Sequence, residues 1–332
     1  MKMDKQKVAK AREKLLQHYP QFPIPESSYL ILETPRSGST LLSAHLQKIE
    51  YGFPIEAFNL NANYRKRFNL IASIDDPVAC IRKGIEFQTR NRVMGTKFHR
   101  SQFQNFQRMA RNALTFLELT FTDGEVTELF FPNAKFIFLQ RKQKIRQAIS
   151  YSKALQTGIW NETTDQDQDY KKYVLPALYD REHIEACFDM LLADDFAWKN
   201  FLESNDFRSL HIWFDDLVTN YEAKMKEIYT YLGVKGSEKV TPLLRQQSNK
   251  ESLEWEKRFC EETPWTKDAA YMDAVARDDL DSLWAFRGQQ IVRANEHRRW
   301  IEMPATRYKS VRSFWFRVQR KLKELISAKT EK

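Results

Sequence analysis

The sequence predicts an α/β fold: a mostly parallel sheet flanked by helices, followed by a helical C-terminal extension. Short, nearly continuous apolar runs recur at Tyr29–Glu33, Arg92–Phe98, Lys135–Leu139 and Ser209–Phe214, as strands buried on both faces do. Stretches of helical length separate them, which implies βαβ crossovers and places ligands at the carboxyl ends of the strands. Beyond Thr241 the strand signals stop, leaving charged helical segments and loops rich in Trp.

Length and composition agree with that class. The 332 residues, 42% hydrophobic and 13% aromatic, suffice for one large domain or two ordinary ones with a real core. Cys80, Cys187 and Cys260 are far apart and without metal-ligand spacing, which fits a reducing compartment better than a disulfide framework. Met1 to Pro20 mixes basic residues with only short apolar runs, so the expected location is the cytoplasm, free or at the inner face of the membrane. The net charge of +9 is uneven, because Thr306 to Lys332 carries nine Lys and Arg against Glu324 and Glu331.

Taken in order, residues 4–18 have weak helical patterning, and Pro20, Pro23 and Pro25 force an extended entry into the first strand. Beyond the turn Thr34–Thr40, Leu41, Leu42, Leu46 and Ile49 recur at helical spacing, with Gly52 as the stop. Phe53–Phe58 is a loop, 59–91 is polar and partly helical, and the second strand ends at Lys97 and His99. A helix is expected over 101–119, and Pro132-Asn-Ala turns into the strand 135–139, closed by Gln140-Arg141. Ile145, Ala148, Ile149, Ser152 and Leu155 line the next helix, and Trp160–Lys172 is a polar, acidic loop. Helices over 181–203 and 217–232 bracket the fourth strand. Val311, Phe314, Trp315, Val318, Leu322, Leu325 and Ile326 form a stripe on a last, basic helix. The expected organisation is an entry segment 1–28, a main domain 29–259 and a basic helical extension 260–332.

The turn Pro35-Arg-Ser-Gly-Ser-Thr40 between strand and helix suits a phosphate-sized anion, since orphan N–H donors and the positive end of the helix dipole coincide there. This makes the sheet P-loop-like. The G-x-x-x-x-G-K-[ST] loop of nucleotide-triphosphate enzymes uses a Lys on the terminal phosphates. Here that Lys is absent and Arg36 precedes the glycine, which argues against NTP hydrolysis and phosphoryl transfer.

Thr34–Leu42 after a strand, Gly52-Phe-Pro-Ile-Glu56, and Gln140–Ser150 continuing to Ala154–Trp160 resemble the Stf0 sulfotransferases, a bacterial family, over about residues 29–259. Leu243–Asn249 with Trp255 and Arg258-Phe259 resembles the family's Arg-Gln motif, with Ser248-Asn249 where an Asp is usual. The resemblance implies transfer of a sulfuryl group from 3′-phosphoadenylyl sulfate (PAPS, leaving 3′,5′-ADP) to a hydroxyl of a carbohydrate or glycolipid, without a metal. It implies that Pro35, Arg36, Ser37, Gly38, Ser39 and Thr40 cradle the 5′-phosphosulfate and that Arg141 and Ser150 hold the 3′-phosphate, with Arg245 and Gln246 completing the nucleotide site.

An acceptor hydroxyl must lose its proton as it attacks, so a general base is expected, and charge gathering on the leaving phosphate favours a cation such as Arg36. The resemblance assigns the base to Glu56. His99 is the competing base, since it ends the second strand beside Lys97 and eukaryotic cytosolic sulfotransferases use a histidine after a comparable strand. Lys97 and Phe53 are candidate contacts to sulfate or acceptor. A nucleotide-dependent kinase on a related fold and a basic nucleic-acid-binding protein are the rival readings. The missing Lys weighs against the first. Near-neutrality outside the tail and the lack of a nucleic-acid motif weigh against the second. The basic apolar tail suits a homodimer contact or peripheral attachment to an anionic membrane.

Overall fold

Strand β1 (Ser27–Glu33) is buried from Ser28 onward and forms the middle of a five-stranded sheet of order β2-β3-β1-β4-β5. The computed structural model describes residues 3–70, 75–160, 176–234 and 250–287. It divides into two compact units, Met1–Gln143 with Ala193–Gln246, and Lys144–Leu192 with Gln247–Lys332.

The first unit holds the whole sheet. Strands β3 (Val93–His99) and β4 (Lys135–Gln140) flank β1 in parallel, β5 (Ser209–Trp213) extends the sheet beyond β4, and the two-residue β2 (Thr89–Arg90) is antiparallel at the β3 edge. Because the chain passes to one side of β1 for β3 and to the other for β4, the crevice at the carboxyl end of β1 is a topological switch point.

Side-chain alternation builds a core on each face. Leu30 and Leu32 point into a cluster with Phe98, Phe103, Phe106, Phe130, Phe138 and Trp198. Tyr29 and Ile31 point the other way, to Leu42, Leu46, Ile137, Leu139, Met225 and Ile228. The first cluster is covered by α1 (Lys5–His18), α4 (Pro77–Gln88), α5 (Arg100–Ala113), α6 (Asp123–Phe130) and the later part of α8 (Arg181–Ser204). The second is covered by α2 (Ser39–Lys48), α9 (Phe214–Thr219) and α10 (Tyr221–Leu232). Short α3 (Ala62–Arg67) lies between α2 and α4 in the chain. The entry helix α1 is part of this core: Val8, Ala11 and Leu15 are buried, Lys7 Nζ lies 2.8 Å from Glu125 Oε2, and Arg12 Nε donates to the Leu129 carbonyl at 3.0 Å.

Several boundaries differ from the sequence-based expectation. The helix over 101–119 stops at Ala113 and gives way to a tight turn at Thr115–Leu117. Helix α6 was not expected; it begins with a capping box in which Thr122 and Glu125 satisfy one another's backbone N–H. Phe214 opens α9 instead of closing β5, and the single helix expected over 217–232 is two, separated at Asn220. Gly52 does not stop α2, which ends at Lys48. With φ of +72°, Gly52 brings the chain against β3, where a Cβ would lie 2.7 Å from the Gly95 nitrogen.

In the second unit α7 (Lys144–Thr157) pairs with α11 (Lys250–Glu262) through Arg146–Glu256 and Lys153–Glu251, both at 2.7 Å. Helix α12 (Ala269–Ala276) follows, and residues 280–287 are helical. The buried Arg287 guanidinium binds both Asp189 oxygens at 2.8 and 2.6 Å and lies over the Trp265 ring. The part of the extension up to residue 287 is thus helical; the basic stripe 311–326 lies outside the described residues. All three cysteines are free. Among the described residues no helix is long and apolar enough to cross a membrane.

The closeness of β1 and β3 can be tested at Gly95, where an added Cβ would meet the Tyr29 hydroxyl and ring. Gly95→Ala is expected to lower stability by about 1–3 kcal/mol, the usual cost of overpacking, read as a reduced urea midpoint. An unchanged midpoint would contradict the packing described.

Candidate active site

The register of the sheet assembles the site. Residues facing each other across β1 and β3 include Ile31 with Lys97 and Glu33 with His99, so Glu33, Lys97 and His99 share one face at the carboxyl end of adjacent strands. Glu56 is delivered by a different device. Ile55 bridges Thr96 in parallel fashion, and the Lys97 N–H donates to the Ile55 carbonyl at 3.3 Å, so the next residue stands beside Lys97.

These groups form one cluster. Lys97 Nζ lies 3.2 Å from Glu56 Oε1 and 3.7 Å from Glu33 Oε1, and donates to Ser39 Oγ at 3.4 Å. His99 Nε2 lies 3.4 Å from Glu33 Oε1, while Glu33 Oε2 accepts the Ser37 hydroxyl at 3.1 Å. Glu56 Oε2 accepts from Gln102 Nε2 at 2.7 Å and from Asn59 Nδ2 at 2.9 Å. The Glu56 N–H donates to the Tyr64 hydroxyl at 2.9 Å. On the other side, the Trp198 indole N–H donates to the Glu33 carbonyl at 2.9 Å. Glu33 is wholly buried, whereas the Glu56 and His99 side chains keep 14% and 21% exposure. Water can therefore reach Glu56 and His99 but not Glu33.

Burial pushes Glu56 toward the neutral acid, but Lys97, His99 and the amides of Gln102 and Asn59 outweigh it and hold the carboxyl down at about 2. Burial acts likewise on Glu33, which Lys97 and His99 hold below the ordinary carboxylate range. Burial would lower Lys97 and His99, yet Glu33 first and Glu56 second raise both above their ordinary values. The carboxylates Glu33, Glu56 and the imidazole of His99 bring donor atoms within 4.8 Å of one another. The Lys97 ammonium already supplies the positive charge between the two carboxylates, so they read as a salt-bridge cluster and not as metal ligands.

The anion loop abuts this cluster. Arg36 and Gly38 adopt left-handed φ values of +66° and +85°, and α2 starts at Ser39 with Thr40 in its first turn. That leaves the first N–H groups of α2 without intrahelical partners. Ser37 is turned inward to Glu33 and is fully buried, so its hydroxyl proton is spent inside the protein. Ser39 instead accepts from Lys97 and keeps its own proton to donate. Gly38 is required twice: by its φ, and by the Phe214 ring, which occupies the place a Cβ would take. The Arg141 guanidinium lies over that same ring, 5.3 Å from its centre, and the Lys142 N–H donates to Asp215 at 2.7 Å.

The structure thus brings together Glu56, His99, Lys97, Ser37 and Ser39, and sets Arg141 near Gly38 through Phe214. Glu56 and His99, rivals in the sequence, are members of one network joined by Lys97 and Gln102. The Phe53 ring packs edge-on against Phe87 and under Arg90. Ser150 lies on α7 of the second unit, and Arg245 and Gln246 lie outside the described residues. Sequence reasoning missed Glu33, Asn59, Tyr64, Gln102 and Phe214. A signal existed for Gln102, three residues after His99 at the opening of α5, where a capping side chain is common; its amide accepts the His99 N–H at 3.3 Å.

A glycine-turned anion loop without the triphosphate lysine, facing a buried acid–base cluster at the switch point of the sheet, is the arrangement of a group transferase with an anionic donor. The chain belongs to the Stf0 sulphotransferase family, whose model matches residues 28–262. It is a sulfotransferase. Solved structures similar to it include the sulfotransferase domain of the Synechococcus PCC 7002 olefin synthase, at 16% identity over 75% of this chain and 91% of that one. Another is the sulfotransferase STF9 from Mycobacterium avium, at 12% identity over 86% and 83%. Both have a TM-score of 0.34, and the family assignment rests on the family model alone. No curated protein matches the chain.

The cluster makes two predictions. Removing Lys97 leaves two carboxylates facing each other, so Lys97→Met should cost about 3–5 kcal/mol, as breaking buried ion pairs does; Glu33→Gln in the same chain should return part of the loss in urea denaturation. Stability should also decline on both sides of a pH window. The raised His99 contributes fully below the ordinary histidine value, and that contribution is lost as pH rises through its folded value. The lowered Glu33 and Glu56 contribute above the ordinary carboxylate range, and theirs is lost as pH falls, for Glu56 toward about 2. A His99→Gln variant whose stability falls away in alkali as steeply as the parent's would contradict the histidine part.

Proposed function

We propose that this sulfotransferase uses PAPS as donor and a hydroxyl of a carbohydrate or glycolipid as acceptor, with Glu56 as general base. The observation that carries the reading is the Lys97 bridge: one ammonium touches both Ser39 of the anion loop and Glu56, so the seat of the transferred group and the proton acceptor are neighbours. Family membership and the match of Thr34–Leu42, Gly52–Glu56 and Gln140–Ser150 to the motifs quoted above support the donor.

In the proposed reaction a bond forms between the acceptor oxygen and sulfur as the bond from sulfur to the bridging oxygen breaks. The electron pair leaves with the 5′-phosphate of 3′,5′-ADP, and the acceptor proton goes to Glu56. The first turn of α2, Ser39, Arg36 and Lys97 face the charge gathering on the leaving side, where donors already in place cost no reorganisation. The low value of Glu56 depends partly on the Asn59 and Gln102 amides, so an acceptor hydroxyl that displaces one of them raises the basicity of the carboxylate when it is needed. The resemblance implies that Arg141 and Ser150 hold the 3′-phosphate and that Arg245 and Gln246 complete the nucleotide site. A homodimer and a peripheral membrane contact through residues 306–332 are the partners this reading allows.

The test is transfer of labelled sulfate from PAPS to a panel of sugars and glycolipids, with 3′,5′-ADP expected to raise the melting temperature and ATP with magnesium not to. Glu56→Gln should lower kcat by about 10²–10⁴-fold, the usual contribution of a general base. The pH profile separates the two candidate bases. With Glu56, kcat/KM shows no acidic limb down to the pH at which the protein unfolds; with His99 it would climb as pH rises above the ordinary histidine value.

A further inference from the structure

The anion loop begins beside a carboxylate, which is a poor neighbour for an anionic donor. Glu33 is the last residue of β1, lies immediately before Thr34-Pro35-Arg36, and has no exposure to solvent. A negative charge there opposes the binding that the loop serves, so its presence calls for a function that outweighs the cost.

Its contacts suggest one. One oxygen of Glu33 is held by Ser37; the other faces His99 Nε2 at 3.4 Å and Lys97 Nζ at 3.7 Å. The opposite edge of the imidazole is also engaged, since Gln102 Nε2 stands 3.4 Å from His99 Nδ1. An imidazole with a carboxylate at Nε2 and an amide donor at Nδ1 keeps its hydrogen on Nε2. That nitrogen then has no lone pair with which to take a proton, and Nδ1, on the side of Gln102, is the nitrogen that titrates.

We propose that Glu33 is a positioning residue that fixes the proton of His99 on Nε2 and so denies His99 the part of general base, leaving Glu56 as the proton acceptor beside the anion loop. The inference rests on the sulfuryl-transfer reading for its meaning, but the proton location itself is independent of any substrate. The groups facing the imidazole are Glu33 on β1, Glu56 after α2, Lys97 on β3 and Gln102 on α5. Tyr64 of α3 lies behind Glu56, and the N-terminal end of α5, one residue away, opposes positive charge on the ring. Two carboxylates against one ammonium leave the balance in favour of a proton on the ring. Neighbouring Arg100 points elsewhere, over the Trp198 and Phe103 rings.

The experiment is ¹⁵N NMR of the full-length protein with labelled histidine, His99 being assigned by the signal lost in His99→Gln. In the parent, Nε2 should carry hydrogen at every pH in the stable range, and the midpoint of Nδ1 titration should lie above that of an ordinary histidine. In Glu33→Gln the midpoint should move down by about one pH unit, a tenfold loss of proton affinity, and Glu33→Asp should restore part of it. A merely structural role would lower stability and leave the midpoint where it was. A parent His99 with hydrogen on Nδ1 alone, or an equal midpoint in parent and variant, overturns the proposal. The parent spectrum decides the tautomer even if Glu33→Gln does not fold. Labelled-sulfate transfer by the parent, measured separately, shows whether the sulfuryl-transfer reading itself has failed.

Discussion

A carboxylate without access to water ends the central strand, and the rest of the site is arranged to make that tolerable. Moving an ionised carboxyl from water into the interior costs several kcal/mol unless opposite charge and hydrogen bonds replace its hydration. Glu33 receives a hydroxyl, an ammonium and an imidazole. The compensating groups come from two parts of the chain: Ser37 from the turn after β1, Lys97 and His99 from the neighbouring strand. The requirement therefore fixes the register of β1 on β3, because a slip of one residue would turn Lys97 and His99 to the Phe98 side.

The same requirement draws in Glu56. A lysine shared between two carboxylates balances only one of them, and the imidazole supplies the second counter-charge. Glu56, partly exposed like His99, is the carboxylate with amide partners that a ligand can replace. Glu33, sealed behind it, keeps the electrostatics of the pair in place. The sheet separates two apolar cores, and the polar cluster lies where the strands end and side-chain packing gives way to loops.

What the sequence made legible follows from the range of the interactions involved. Strands β1 and β4 are apolar runs buried on both faces, and that pattern is local, so both were recognisable. The loop Pro35–Thr40 was recognisable because its function depends on neighbouring residues in the chain. Helix α6 was not, since eight residues with a glycine at the second position are too short to establish a period, although Thr122 and Glu125 carried a capping signature. The Phe214 ring at the start of α9 packs under Gly38, 176 residues earlier by number, and nothing near Phe214 in the chain announces it. Lys97 and His99 were noticed as polar residues closing a strand, but their joint role with Glu33 needs the register, which no single strand encodes.

Glu33 shows most clearly where local reading stops. A terminal acid on an apolar strand is ordinarily a solvated end, and composition offers no reason to think otherwise. The pairing Glu33 with His99 and Ile31 with Lys97 converts it into the most buried charge of the site. On the proposed assignment it also bears on which neighbouring group accepts a proton. A histidine and a glutamate a few ångströms apart would otherwise compete, and the outcome would depend on small differences in solvation. With Nε2 facing Glu33 at 3.4 Å and Nδ1 facing Gln102 at 3.4 Å, the proposed assignment leaves the partly exposed carboxylate of Glu56 as the proton acceptor. A buried acid next to the Pro35–Thr40 turn is then no contradiction, because it gathers the Lys97 and His99 charges beside it.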